Sequence, residues 1–159
     1  MNIGIIVYSL SGHTLGVVTS LQQKLAAGGH AVALQRLEMV GPATPSAEKG
    51  AELKSRPALG EYDALVLACP VRGGAPPPPM ASYLQGVPSL QGKKVALLVT
   101  HFFPRAWGAR QTLTALQEAC AARGATVCGM SSVHWFGLGR RRQVARVVDE
   151  LAGCFQMSD

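Results

Sequence analysis

The stretch IGIIVYSLSGHTLG, residues 3–16, decides the fold class of this chain. Its apolar run from Ile3 to Tyr8 is short and continuous, which is typical of a β-strand covered on both faces. Residues 9–14 then contain three hydroxyl side chains and one glycine, and a helical pattern begins at Thr14. A buried strand that passes through a short polar turn into a helix predicts an α/β domain with a parallel sheet.

The same alternation of apolar runs and helical patterns continues along the chain. Strands are predicted at 3–8, 31–37, 64–69, 95–100 and 125–133, and helices at 14–27, 79–84, 108–123 and 140–151. A weaker helical pattern covers Ser46–Lys54, and the second strand is less apolar, which places it at a sheet edge. Five successive β-α units predict a sheet buried between two helix layers, with one domain over residues 1–159.

The composition favours a folded protein without a membrane span. Of the 159 residues, 48% are hydrophobic and 15% are charged, which is enough apolar material for a substantial core. No apolar run reaches the ~18 residues that a spanning helix needs, and the N-terminus lacks the pattern of a signal peptide. We therefore expect a cytoplasmic protein. The scattered cysteines predict buried thiols and no metal site: Cys69, Cys120, Cys128 and Cys154.

The net charge of +6 indicates an anionic ligand, an acidic partner or a solvated basic surface. Most basic residues are scattered, so no nucleic-acid partner is expected. The exception is Arg140–Arg142, followed by Arg146, at the start of the last predicted helix. Positive charge is unfavourable there because it opposes the helix dipole. The cluster indicates either an anion or acidic partner, or a helix end that is simply solvated.

Three conspicuous loops follow predicted strands and so lie at one edge of the sheet: residues 9–14, 70–74 and 101–108. Ligands of such sheets bind beyond the carboxyl ends of the strands. The first loop offers hydroxyl groups and the free N–H groups of a helix start, which suit a phosphate; alternatively, Ser11 only caps the helix. It matches neither the Walker A pattern nor the dinucleotide glycine pattern. A phosphate bound here would be a single terminal one rather than the pyrophosphate of a dinucleotide, and the helix-cap interpretation stays open.

These loops resemble those of the flavodoxins. YSLSGHT is similar to the flavodoxin loop that binds the FMN phosphate, and YDALVLACPVRGGAPPPPMASYL is similar to the third strand and second flavin loop. THFFPRAWG takes the place of the third flavin loop. The resemblance spans the chain and implies a flavodoxin-like three-layer sandwich. Its five-stranded parallel sheet would have the order 2-1-3-4-5, with helices on both faces.

The resemblance implies FMN as cofactor. It assigns the phosphate to Ser9, Ser11, Gly12, His13 and Thr14, with the histidine acting through its backbone N–H. It assigns the flavin ring to Pro70, Val71, Arg72, Gly73, Gly74, Thr100, His101, Phe102, Phe103, Trp107 and Gly108. The second loop lacks an aromatic residue, so ring stacking falls to Phe102, Phe103 or Trp107, with Trp107 preferred. The two glycines would let a carbonyl near flavin N5 reverse its direction.

Arg72 and His101 are the candidates for a catalytic role. The Arg72 guanidinium would stabilise negative charge on the reduced flavin, or else it reaches solvent. His101 would donate a hydrogen bond or a proton to the flavin or to a quinone oxygen, or else it is an ordinary hydrogen-bonded loop residue.

The resemblance implies an electron-transfer function. Dedicated carriers of the family are typically acidic, whereas this chain is basic, which favours an FMN-dependent oxidoreductase. That enzyme would take a hydride from NAD(P)H and reduce a quinone or a similar small molecule, with a second subunit completing the site in a homo-oligomer. The alternatives are a flavodoxin-type carrier that serves a redox protein partner, and a binding or regulatory module without flavin on the same fold.

Overall fold

The computed structural model describes residues 1–102, 107–136 and 138–156, with the backbone alone at Trp107. The strands are β1 Asn2–Tyr8, β2 Ala31–Leu37, β3 Ala64–Pro70, β4 Lys94–His101 and β5 Thr126–His134. The helices are α1 His13–Ala27, α2 Pro78–Gln85, α3 Trp107–Ala121 and α4 Arg140–Gly153. All strands pair in parallel in the order β2-β1-β3-β4-β5. The predicted flavodoxin-like fold class is confirmed.

The sheet lies between two helix layers because alternate strand residues point to opposite faces. In β1, Ile3, Ile5 and Val7 pack with residues of α1 and α4, whereas Ile6 and Tyr8 pack with residues of α2 and α3. All seven residues of β3 are buried, as expected for the central strand of such a sheet. None of the described helices is both long and apolar enough to cross a membrane.

The helix predicted at Ser46–Lys54 is wrong. The crossover from β2 to β3 contains only a short 3-10 helix at Pro45–Ala47. Gly50 has φ +71°, a left-handed conformation that ends any right-handed helix. The backbone then pairs with itself, because Lys54 N–H donates to the Glu38 carbonyl at 2.8 Å, around an antiparallel bridge that joins Met39 and Leu53.

Two glycines within strands leave room for side chains from distant parts of the chain. A Cβ added at Gly4 would lie 2.5 Å from the Tyr62 ring, and that ring is fixed by a 2.6 Å hydrogen bond from Gln35 Nε2 to its hydroxyl. A Cβ added at Gly129 would overlap the Cys154 sulfur. Tyr62 and Cys154 therefore fill the space that the missing side chains would occupy.

The prediction of buried thiols is correct for two of the four cysteines. Cys69 and Cys120 are buried, and burial raises their pKa values to about 12 and about 11. Both are therefore protonated and unreactive at neutral pH. Cys128 and Cys154 are partly exposed instead, because Cys128 lies on the outer strand β5 and Cys154 directly follows α4.

Candidate cofactor site

The loop between β1 and α1 is held by the Ser9 side chain. Its hydroxyl oxygen accepts hydrogen bonds from Gly12 N–H at 3.1 Å and Leu15 N–H at 3.4 Å. Gly12 precedes the helix with φ +88°, and a Cβ built there meets nothing within 4 Å. The loop therefore has an open space above Gly12, next to the N–H groups of the first helical turn that have no partner within the helix.

Two contacts join this loop to the neighbouring strands β4 and β2. The hydroxyls of Thr14 and Thr100, both buried, lie 2.8 Å apart, which joins the start of α1 to the end of β4. Arg36, at the carboxyl end of β2, donates from its Nη2 to the Ser9 carbonyl at 2.7 Å. Arg36 thus brings a positive charge to the loop between β1 and α1, which the sequence did not predict.

The loop after β3 forms a tight turn at Arg72–Ala75. The backbone N–H groups of Arg72 and Ala75 donate to each other's carbonyls at 3.0 and 3.1 Å. Gly73 and Gly74 have φ of +58° and +78°, as both central residues of a type I′ turn require. Val71 N–H also donates to the Thr100 carbonyl at 3.0 Å, so this turn is tied to the end of β4.

The guanidinium of Arg72 is paired with a carboxylate. Its Nε lies 3.0 Å from Glu48 Oε1, and the Glu48 side chain is only 4% exposed. The other Glu48 oxygen accepts a 2.6 Å hydrogen bond from the Tyr8 hydroxyl. Burial is the main reason that the pKa of Tyr8 lies well above its usual range, and this hydrogen bond raises the pKa further. Glu48 thus joins the end of β1 to the Arg72–Ala75 turn.

At the end of β4, His101 is 8% exposed and its ring stacks on His134 with centroids 5.2 Å apart. The His134 Nε2 lies 3.0 Å from the Phe102 carbonyl, which ties the ends of β4 and β5 together. Phe102 is 39% exposed.

A Cβ added at Gly108, in α3, would lie 3.5 Å from Val71 Cγ1 and 3.7 Å from Gly74 Cα. The start of α3 therefore lies close to the loop after β3.

The His13 ring belongs to an aromatic cluster rather than pointing to solvent. It stacks on Trp135 at a centroid distance of 4.1 Å and meets the Phe102 ring edge-on at 5.4 Å. The Arg140 guanidinium lies 4.5 Å from the centre of the Trp135 ring. Burial, and then the charge of Arg140, lower the pKa of His13. At neutral pH the ring is uncharged, so the loop between β1 and α1 gains no positive charge from it.

The lowered pKa of His13 predicts a pH-dependent stability. As pH falls below about 6.5, the unfolded chain takes up a proton before the folded protein does, so the free energy of unfolding decreases. In His13→Phe, which keeps an aromatic ring on Trp135, we expect a smaller decrease. Urea unfolding from pH 7.5 to pH 5 measures both. Parallel curves for the two proteins would contradict the assignment.

Most predicted site residues come together at one edge of the sheet. Thr100, in β4, joins the loops after β1 and β3, because its hydroxyl lies 2.8 Å from that of Thr14 and its carbonyl accepts from Val71 N–H. Ser11 lies exposed in the first loop, and Pro70 ends β3. Phe103 and the Trp107 side chain lie outside the described residues, so their stacking role stays a prediction.

Three side chains of the site were missed: Arg36, Glu48 and Trp135. The first and last had a usable signal, because each lies at the carboxyl end of a predicted strand, the edge where ligands bind. Glu48 had none, since it lies in the crossover that was predicted as a helix.

A five-stranded parallel sheet in the order 2-1-3-4-5 with helices on both faces defines the flavodoxin-like class of α/β proteins. Flavodoxin 2 from Bacillus cereus, in its oxidised form, is 22% identical, with 98% of this chain and 100% of that chain covered and a TM-score of 0.68. Two-electron reduced flavodoxin from Megasphaera elsdenii is 18% identical, with 95% and 98% covered and a TM-score of 0.67.

A flavoprotein from Lactobacillus acidophilus NCFM, solved in complex with FMN, is 18% identical, with 82% of this chain and 92% of that chain covered and a TM-score of 0.64. No family model matches the sequence, and no curated protein matches it. At these identities, the likeness establishes that this chain has the flavodoxin fold.

Proposed function

We propose that this protein binds FMN at the carboxyl edge of its sheet and transfers electrons. The observation that carries the proposal is that the first two loops are both joined to the end of β4 at that edge. Thr100 lies at the centre, because its hydroxyl contacts Thr14 of the first loop and its carbonyl accepts from Val71 of the second. A ligand with a phosphate at one end and a flat ring at the other needs these loops side by side.

The first loop fits a terminal phosphate in shape and in chemistry. Gly12 leaves open space above the loop, and the start of α1 directs N–H groups and the positive end of its dipole there. Ser11 is exposed beside that space and supplies a hydroxyl donor. Arg36, bonded to the Ser9 carbonyl, adds positive potential from behind.

The second and third loops fit the ring of a flavin. The Arg72–Ala75 turn has two glycines with positive φ, which lets backbone groups approach a flat ligand closely. Phe102, partly exposed beside the first loop, offers an aromatic surface. Bound FMN would supply the one- and two-electron chemistry. Arg72 is held by Glu48, so it would fix the turn, and its catalytic role stays a prediction.

Binding of FMN and of riboflavin tests the proposal, because the two ligands differ only in the phosphate. We expect FMN to bind at least about a hundredfold more tightly, which corresponds to about 2.7 kcal/mol. Ser11→Glu should remove that preference by charge repulsion and leave riboflavin binding unchanged. Ser46→Glu, in the exposed 3-10 helix, is the matched control and should have no effect. Flavin fluorescence quenching measures all affinities.

If the purified protein is colourless and takes up no added FMN, the proposal fails. Equal affinities for FMN and riboflavin would instead contradict the assignment of the phosphate loop.

The finer reaction that we favour is NAD(P)H-dependent reduction of a quinone or a similar acceptor. The net charge of +6 supports it, because anionic dinucleotides are attracted to a basic surface. His101, which is nearly buried at the end of β4, would donate to the flavin or acceptor oxygen. Anaerobic mixing of the FMN-loaded protein with NADH or NADPH separates the candidates. Bleaching without a second protein indicates the enzyme, and no bleaching indicates a carrier.

A further inference from the structure

A surface beside the proposed cofactor site combines exposed apolar side chains with three consecutive arginines. We call it the β5–α4 patch, and it consists of Phe102, Phe136, Leu138, Arg140, Arg141 and Arg142. Phe136 is 71% exposed and Leu138 fully exposed. Large apolar side chains exposed together commonly mark an interaction surface.

The patch borders the proposed FMN site directly. The Phe102 ring lies 5.1 Å from the Phe136 ring and 5.4 Å from the His13 ring, measured between centroids. His13 belongs to the phosphate loop, and Phe102 follows β4. A molecule that covers the patch would therefore lie against two of the loops assigned to the cofactor.

The three arginines of the patch are available for a partner. Among the described residues, none of them forms an ion pair, whereas Lys24, Lys54 and Arg146 each lie within 4 Å of a carboxylate. Arg140 is held in place, because it lies over the Trp135 ring and its Nη1 donates to the Trp135 carbonyl at 3.3 Å. Arg141 and Arg142 are exposed. Three cations in the first turn of α4 also oppose the helix dipole, so the cluster lowers the stability of the isolated chain.

We propose that the β5–α4 patch docks a small acidic redox protein, so that the partner's redox centre lies beside the FMN site. This proposal rests on the proposed FMN function. The arginines would supply positive charge that attracts a negative partner and orients it. The apolar centre argues for a protein rather than a small anion, because a nucleotide phosphate would leave Phe136 and Leu138 exposed.

Titration with a small acidic iron–sulfur ferredoxin tests the docking surface. The FMN-loaded protein is titrated at an ionic strength of about 10 mM, where charges act over about 30 Å, and of about 0.15 M, where they act over about 8 Å. Arg141→Glu and Arg142→Glu should each weaken binding by about three- to tenfold at low salt and by less at high salt. Leu138→Ser should weaken binding at both, since apolar contact is not screened.

Lys94→Glu is the matched control. It changes the net charge by the same amount, and Lys94 is exposed at the first residue of β4, on the opposite edge of the sheet. It should leave the affinity within about twofold. An equal loss in Lys94→Glu and Arg142→Glu would mean attraction by net charge alone and would overturn the proposal. So would the absence of ferredoxin binding at low salt.

Two further measurements separate the alternatives. If vesicles of anionic phospholipid bind the protein through Leu138 and Arg142 while ferredoxin does not, the patch is a membrane surface and the proposal is wrong. Titration of the FMN-free protein with ferredoxin separates the docking proposal from the FMN proposal, because the patch is formed by the chain alone. Ferredoxin binding that is sensitive to Arg142→Glu supports the docking surface even if FMN does not bind.

Discussion

Gly12→Val is expected to weaken FMN binding by about a hundredfold or more, equivalent to about 2.7 kcal/mol. Gly12 has φ +88°, which is strongly unfavourable for a β-branched residue. Relief of that strain would reshape the loop that Ser9 holds through the Gly12 N–H. If the backbone stayed in place, the valine side chain would enter the open space assigned to the phosphate. Titration with FMN, followed by flavin fluorescence, measures the loss.

Gly29→Val is the matched control for backbone strain. Gly29 has φ +93°, and a Cβ built there also meets nothing within 4 Å, but it follows α1 at the opposite edge of the sheet. Both variants should therefore lose similar stability in urea unfolding, while only Gly12→Val loses FMN affinity. Unchanged FMN affinity in Gly12→Val, or an equal loss in both variants, would contradict the phosphate site.

Glu48→Leu is expected to lower the free energy of unfolding by about 1–3 kcal/mol, since a buried hydroxyl that loses its hydrogen bond costs about that much and the partly exposed Arg72 loses its partner. Glu48 is 3% exposed and accepts hydrogen bonds from both Tyr8 and Arg72. Without it, the Tyr8 hydroxyl loses its hydrogen bond to the carboxylate, and Arg72, whose side chain is 26% exposed, loses its ion pair. Urea unfolding at pH 7 measures the change.

Glu38→Leu provides the comparison, because Glu38 pairs with Lys54 at 3.4 Å and both side chains are more than half exposed. Such surface pairs contribute about 0–1 kcal/mol, so its effect should be small. The double variant Glu48→Leu/Arg72→Leu should recover part of the stability lost in Glu48→Leu, because no unpaired charge remains. Similar losses in Glu38→Leu and Glu48→Leu would show that the buried pair contributes little.

The order of elements could be predicted from the sequence because the signals that define them are local. The continuous apolar run at Ala64–Cys69 predicts β3, which the structure extends by one residue to Pro70. The proline-rich segment predicts α2, because proline suits the first turn of a helix. The helix expected at Ser46–Lys54 failed since Gly50 and the pairing of Met39 with Leu53 override a weak local pattern.

The candidate site was located from loops that directly follow predicted strands. The positions of the hydroxyl-rich loop after β1 and of the double glycine after β3 follow from the sequence, whereas their assignment to a flavin rests on the resemblance to flavodoxins. The connection of these loops could not, because it depends on contacts between residues far apart in the chain. Glu48 is 40 residues from Tyr8 and 24 from Arg72. Trp135 likewise meets His13 only once β1 and β5 share a sheet.

The two strand glycines restrict how this sequence can diverge. Tyr62 occupies the space beside Gly4, and Cys154 occupies the space beside Gly129. Gain of a side chain at either glycine is tolerated only after its distant partner has become smaller, so the order of the two substitutions matters. Each pair should therefore covary among homologues of this chain, although 58 and 25 positions separate its members. Such covariation links segments of the sequence that share no local motif.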